Sequence, residues 1–203
     1  FKYLEKYEYP CTEQLVSRAM PYVFMPNDPI LGTTTDKSSE KITETINTLR
    51  NRQNSDGSFA LWSGGATARS NQHNANTAYL TAYVAQFLTM AHENGFNVPN
   101  EMLSRAIGYL RTFAGGTITD NAYASAMAYA IYIISENDYI TTSYIDTLTQ
   151  YANENIKNWQ SELMGAYIAS AYKIMKQDDL ARDLISKYPP SKSPEFKYDT
   201  MFT

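Results

Sequence analysis

Two kinds of helical stripe alternate along this sequence, and the alternation restricts the fold more than any other feature. The segment 76–92 carries Ala78, Tyr79, Ala82, Val84, Phe87, Leu88 and Ala91. It is apolar on nearly every face, which predicts a helix buried on all sides. Segments 122–134 and 159–175 have the same character, and a further one begins near residue 12. Each is followed by a one-sided helix: Ile42, Ile46 and Leu49 after Ser38, Leu103, Ala106, Ile107 and Leu110 after Pro99, Tyr144, Ile145, Leu148 and Ala152 after Thr141 or Thr142, and then 178–188. Gly95 marks one helix end, and Asp120 is placed to cap the start of another. The run Ser58-Phe59-Ala60-Leu61-Trp62 alternates as a strand would, but it follows Asp56-Gly57 between helices and reads as a loop. The prediction is an all-α fold with an inner and an outer ring of antiparallel helix pairs. Unequal spacing of the inner helices argues against a fixed-period solenoid and for an α/α toroid. Toroids of this type use about six pairs, and four are legible here, so an incomplete ring is expected. Its first and last inner helices should then carry uncovered apolar side faces.

Composition narrows the function classes. The 203 residues suffice for one domain with a sizeable core, and residues 1–203 are read as that domain. Net charge is −4 with no Lys/Arg-rich run, which removes the electrostatic footing for a nucleic-acid or anionic-membrane partner. No stretch approaches the roughly 20 apolar residues of a membrane span. The 17 tyrosines fall mostly inside helical patterns, where a ring packs while its hydroxyl stays wet. Phe1-Lys2-Tyr3-Leu4 offers no initiator Met and no signal-like region, so the chain reads as a piece of a larger multi-domain protein. A single cysteine excludes an internal disulfide.

That cysteine sits where a helix begins. Tyr9-Pro10-Cys11-Thr12-Glu13-Gln14 leads into Leu15-Val16-Ser17-Arg18-Ala19-Met20. Pro10 suits the approach to a helix rather than its interior. Cys11 and Gln14 then stand three residues apart across the first turn, the spacing of a capping box. A thiol in the usual place of Ser can attack the carboxamide carbon, expel ammonia and leave an internal thioester. Such a bond is useful because a thiol, with a pKa of about 8.5, leaves far more readily than an amine or an alkoxide. On spacing alone, an ordinary capped helix with Thr12 as its cap and Cys11 inert is the favoured reading.

Wider resemblance changes the balance. Cys11-Thr12-Glu13-Gln14, after a Tyr-rich approach and before Ser17-Arg18-Ala19, resembles the thioester motif of the alpha-2-macroglobulin and complement family. Three further stretches are similar to its bacterial branch in order and spacing: Arg52 to Trp62, Thr77 to Val84, and Gly95 to Pro99. One departure is Pro10, where the family usually has Gly, which narrows the backbone freedom beside the cysteine. The resemblance implies an α/α toroid within a larger protein, a bond between Cys11 and Gln14 with Glu13 and Tyr9 in support, and no cofactor. It further implies an endopeptidase inhibitor, not an enzyme, that acylates target proteases once a separate bait segment is cut. Its partners would be those proteases and neighbouring domains of the parent chain, in the periplasm or cell envelope, with lipid anchoring in some members. The loop Phe113 to Asp120, where hydroxyl-acylating members place a His, contains none. This implies direct attack by amines.

Other candidates are weaker. His73 lies in a polar run and His92 near a helix end, without metal-ligand spacing. Asp56-Gly57 reads as a turn, Ser63-Gly64-Gly65 lacks the lysine of a phosphate loop, and Asp178-Asp179 reads as helix-start capping. Glu13 also suits a solvated first-turn carboxylate favoured by the helix dipole. Two alternative classes stay open: a thioester-inactive binding or structural toroid, and a toroidal enzyme of the prenyltransferase or glycosidase type. The enzyme would need a zinc set or paired inner-face carboxylates, and the inner helices offer almost none.

Overall fold

The computed structural model of the chain describes residues 10–29, 32–63 and 74–188. Within them the regular structure is helical: α1 (Thr12–Phe24), α2 (Thr35–Arg50), α3 (Ala75–Glu93), α4 (Asn100–Ala114), α5 (Asn121–Glu136), α6 (Thr142–Asn155), α7 (Leu163–Ile174) and α8 (Asp178–Ile185). No strand occurs among the described residues. The alternating run near Phe59 makes only an isolated bridge with Gln53.

Packing follows the two kinds of stripe. The odd-numbered helices line up side by side, α1 on α3, α3 on α5 and α5 on α7, while α2, α4, α6 and α8 each pack on the inner helix that precedes them. This is the inner and outer arrangement of an α/α toroid. Leu88 of α3 and Met127, Ile131 and Ile134 of α5 are fully buried, as are Ile42, Leu110 and Leu148 of the outer layer. Burying such side chains contributes roughly 1.5–3 kcal/mol each.

The end helices differ from the middle ones. α3 and α5 have an inner neighbour on each side and bury residues all round. α1 packs on α3 alone among the inner helices and buries only Thr12, Val16, Ala19 and Val23. A helix buried all round from near residue 12 is the expectation, and the structure corrects it: α1 is one-sided, with α3 its one inner neighbour among the described helices. α7 likewise has α5 alone, and Leu163 is 60% exposed. An uncovered apolar side chain, as expected at the end of an incomplete ring, is thus present on α7; on α1 Leu15, Met20 and Tyr22 are half-buried, and the exposed apolar residue is Phe24 at its last position.

Local signals mostly fall where the sequence puts them. Asp120 caps α5, its Oδ1 accepting from the Tyr123 N–H at 2.8 Å, and Gly95, at φ +84°, lies just past α3. Three details differ. α2 starts at Thr35 rather than Ser38, because the Thr34 hydroxyl accepts from the Lys37 N–H and adds a turn. The segment from Trp159 makes a short 3-10 turn before α7 begins. Asp178 and Asp179 do not cap α8; they pair with Lys173 and Arg182 on the surface. Tyrosine hydroxyls are also drier than expected. Tyr129, 3% exposed, stacks on Tyr167 across α5 and α7, and its hydroxyl donates to the Gln86 side-chain oxygen.

Candidate functional site around Cys11 and Gln14

Cys11 is the N-cap of α1, in extended conformation at φ −66°, ψ 168°. Gln14 occupies the third helical position. Its Oε1 accepts from the Cys11 backbone N–H at 3.0 Å, and the Cys11 side chain is turned to the Gln14 backbone N–H, the reciprocal geometry of a capping box. The carboxamide is thereby folded back over the first turn toward the cysteine. Both residues are half-buried, whereas Glu13 between them is exposed in the first turn. Tyr9 and His73 lie outside the described residues. His92 is exposed at the far end of α3, and among the described residues no three His, Cys, Asp or Glu side chains cluster to hold a metal.

Thr12 is not the cap. It is fully buried, and it ties the helix start to a loop nearly fifty residues away. Its hydroxyl donates to the Ala60 carbonyl at 2.6 Å, and its N–H donates to the Leu61 carbonyl at 2.9 Å. That loop is itself rigid. Asp56 Oδ1 accepts from the Ser58 N–H and hydroxyl, the turn expected of Asp56-Gly57. The Phe59 N–H donates to the Thr81 hydroxyl of α3. Gly57 has φ +93°, and a Cβ there would stand 2.2 Å from the Arg105 carbonyl oxygen of α4. Only glycine fits both the backbone and the approach.

Arg52 completes the corner. Its guanidinium donates to the Pro10 carbonyl at 3.0 Å, to the Thr12 hydroxyl at 3.1 Å and to the Ser63 hydroxyl at 3.2 Å. Burial holds its pKa below the usual arginine range, and the neighbouring Cys11 opposes that shift. Sequence reasoning did not single out Arg52 or the anchoring role of Thr12. Nothing local marks either; the only signal is that both belong to stretches carrying the family resemblance. Beside the corner lies a cleft of about 570 Å³ lined by Glu13, Asp56, Phe59, Leu61, Tyr79 and Tyr83; Cys11 and Gln14 do not line it.

Comparison with known proteins agrees with this architecture. The sequence model described as the A-macroglobulin TED domain matches residues 15–180, so Cys11 and Gln14 lie just ahead of the matched span. The chain is 31% identical over 195 residues to an alpha-2-macroglobulin of Rickettsia conorii, covering 94% of this chain and 10% of that protein. It is 30% identical over 190 residues to an alpha-2-macroglobulin homolog of Yersinia pestis, covering 91% and 9%. Native alpha-2-macroglobulin from Escherichia coli, solved from its MG7 domain to the C-terminus, shares the fold. Its TM-score is 0.75 at 22% identity, over 95% of this chain and 31% of that one. The chain thus spans about a tenth of the length of the curated relatives it matches.

Proposed function

This chain belongs to the A-macroglobulin TED-domain family, and from that premise we propose that it is the thioester domain of a protease-trapping protein. Cys11 Sγ and Gln14 Cδ are the atoms that join. The observation that carries the reading is the Gln14 carboxamide folded back over the first turn of α1 to bond Cys11 at its N-cap. Closure is a balanced exchange. The thiol sulfur attacks the carboxamide carbon, the C–S bond forms, the C–N bond breaks, and nitrogen leaves as ammonia. A target amine later attacks the same carbon, and the thiolate departs. Each domain reacts once, so the protein is an inhibitor that acylates its protease rather than a turnover enzyme. Neighbouring domains of the parent shield the bond until a bait segment is cut, and the setting is the bacterial periplasm or envelope.

Intact mass of the full-length parent tests the proposal. A value lower than the sequence by one ammonia, restored by methylamine and absent in Cys11→Ser, is the expected result. A mass equal to the unmodified sequence sinks it. A second reading, a thioester-inactive toroid, draws on the same capping box, since the Gln14–Cys11 hydrogen bond already satisfies both groups.

A further inference from the structure

We infer that Arg52 is a positioning residue for the Cys11–Gln14 centre, clamping the chain on both sides of Cys11 and presenting a fixed positive charge to the sulfur as it leaves. This rests on the thioester reading of those two residues.

The geometry is specific. Arg52 comes two residues after α2 ends, and its own backbone is locked by the Leu49 carbonyl, which accepts from its N–H, and the Ala60 N–H, which donates to its carbonyl. The side chain is 8% exposed. One terminal nitrogen donates to the Pro10 carbonyl, and the other donates to the Thr12 hydroxyl and, at 3.4 Å, to the Leu61 carbonyl. Nε reaches Ser63. Pro10 and Thr12 bracket Cys11, so one planar fork fixes the residue before it and the residue after it.

Every one of those acceptors is neutral, and among the described residues no carboxylate pairs with Arg52. Burying a guanidinium without a counter-ion is costly, and an apolar residue of similar volume would ordinarily serve packing better. A guanidinium stays charged in a protein. The guanidinium bonds the carbonyl of residue 10 and the hydroxyl of residue 12, which sets the cation beside the residue between them.

The proposed reaction makes a use for that charge. When an amine nitrogen attacks the acyl carbon of residue 14, the C–N bond forms and the C–S bond breaks. The bonding pair passes to Cys11 Sγ, and the amine proton goes to water. Negative charge therefore develops on sulfur beside a cation already in place.

The test uses the full-length parent as wild type, Arg52→Lys and Arg52→Met, with methylamine as nucleophile and thiol release as the rate. Intact mass first establishes that the wild type has lost ammonia. If it has not, the thioester reading itself fails, and this inference with it. Lys keeps the charge and loses the fork, and Met loses both. Arg52→Met should release thiol roughly tenfold or more slowly than wild type, with Lys recovering most of the rate. Equal slowing of Lys and Met, or a Met variant as fast as wild type, overturns the charge role. Should Arg52→Met fail to fold or cyclise, Arg52→Lys decides: a rate within about threefold of wild type supports the inference, and a tenfold loss overturns it.

Discussion

The middle of α5 and the start of α1 are both buried, by different means. Around Met127, Ile131 and Ile134 the neighbours are apolar, and any side chain of the right volume and shape would satisfy them. Around Thr12 the neighbours are the Ala60 and Leu61 carbonyls and a buried guanidinium, and each contact depends on direction. Packing of the first kind tolerates small displacements. The second kind transmits them, because a hydrogen bond weakens steeply as it bends. The core therefore sets whether the domain folds, and the corner sets where Cys11 stands once it has.

The comparison breaks most readily at α5. Ile131→Ala, at a fully buried position, should cost about 2–5 kcal/mol, seen as a lowered urea midpoint. A loss below about 1 kcal/mol would mean the core is not held by volume. Gly57→Ala attacks the corner through its loop. With φ at +93° and the Arg105 carbonyl in the way, it should cost about 1–3 kcal/mol. It should also speed labelling of Cys11 with a thiol reagent in the methylamine-opened protein, and Ile131→Ala at matched stability should not. Equal labelling in the two variants would erase the distinction between the regions.

Two smaller effects sharpen the picture within the helical layers. Asp120→Ala removes a cap made by one local bond and should cost about 1 kcal/mol in the same urea experiment, with Asp120→Asn near wild type. Glu136 at the end of α5 concerns pH. Burial pushes its carboxyl pKa up, opposed in part by the hydrogen bond from Tyr132. The folded value lies above the unfolded one, so the contribution to stability is present at low pH and is lost as pH rises through the folded value. Glu136→Gln should accordingly gain on wild type between pH 4 and pH 7 in paired unfolding curves. A constant difference across that range would show that the carboxyl titrates alike in both states.

Much of this architecture is legible in the sequence. The all-round apolar runs of α3 and α5, the one-sided stripes of α4 and α6, and the Asp120 cap depend on residues within one or two turns of each other, and helical periodicity records such relations directly. The Cys11–Gln14 spacing belongs to the same class, because a first turn places an N-cap beside its third helical residue wherever the helix later packs. Tertiary structure alone decided the rest. The one-sidedness of α1 is written in Val16, Ala19 and Val23 against Glu13, Ser17 and Arg18, but that α3 is its inner neighbour came only with the fold. Asp178 and Asp179 turned to Lys173 and Arg182 instead of capping α8. Above all, Thr12, Arg52 and the loop through Ser63 meet across about forty to fifty residues of chain. Their bonds need the α1–α2 crossing and the Gly57 turn to be in place together, and directional contacts between distant residues leave no periodic trace in the sequence that makes them.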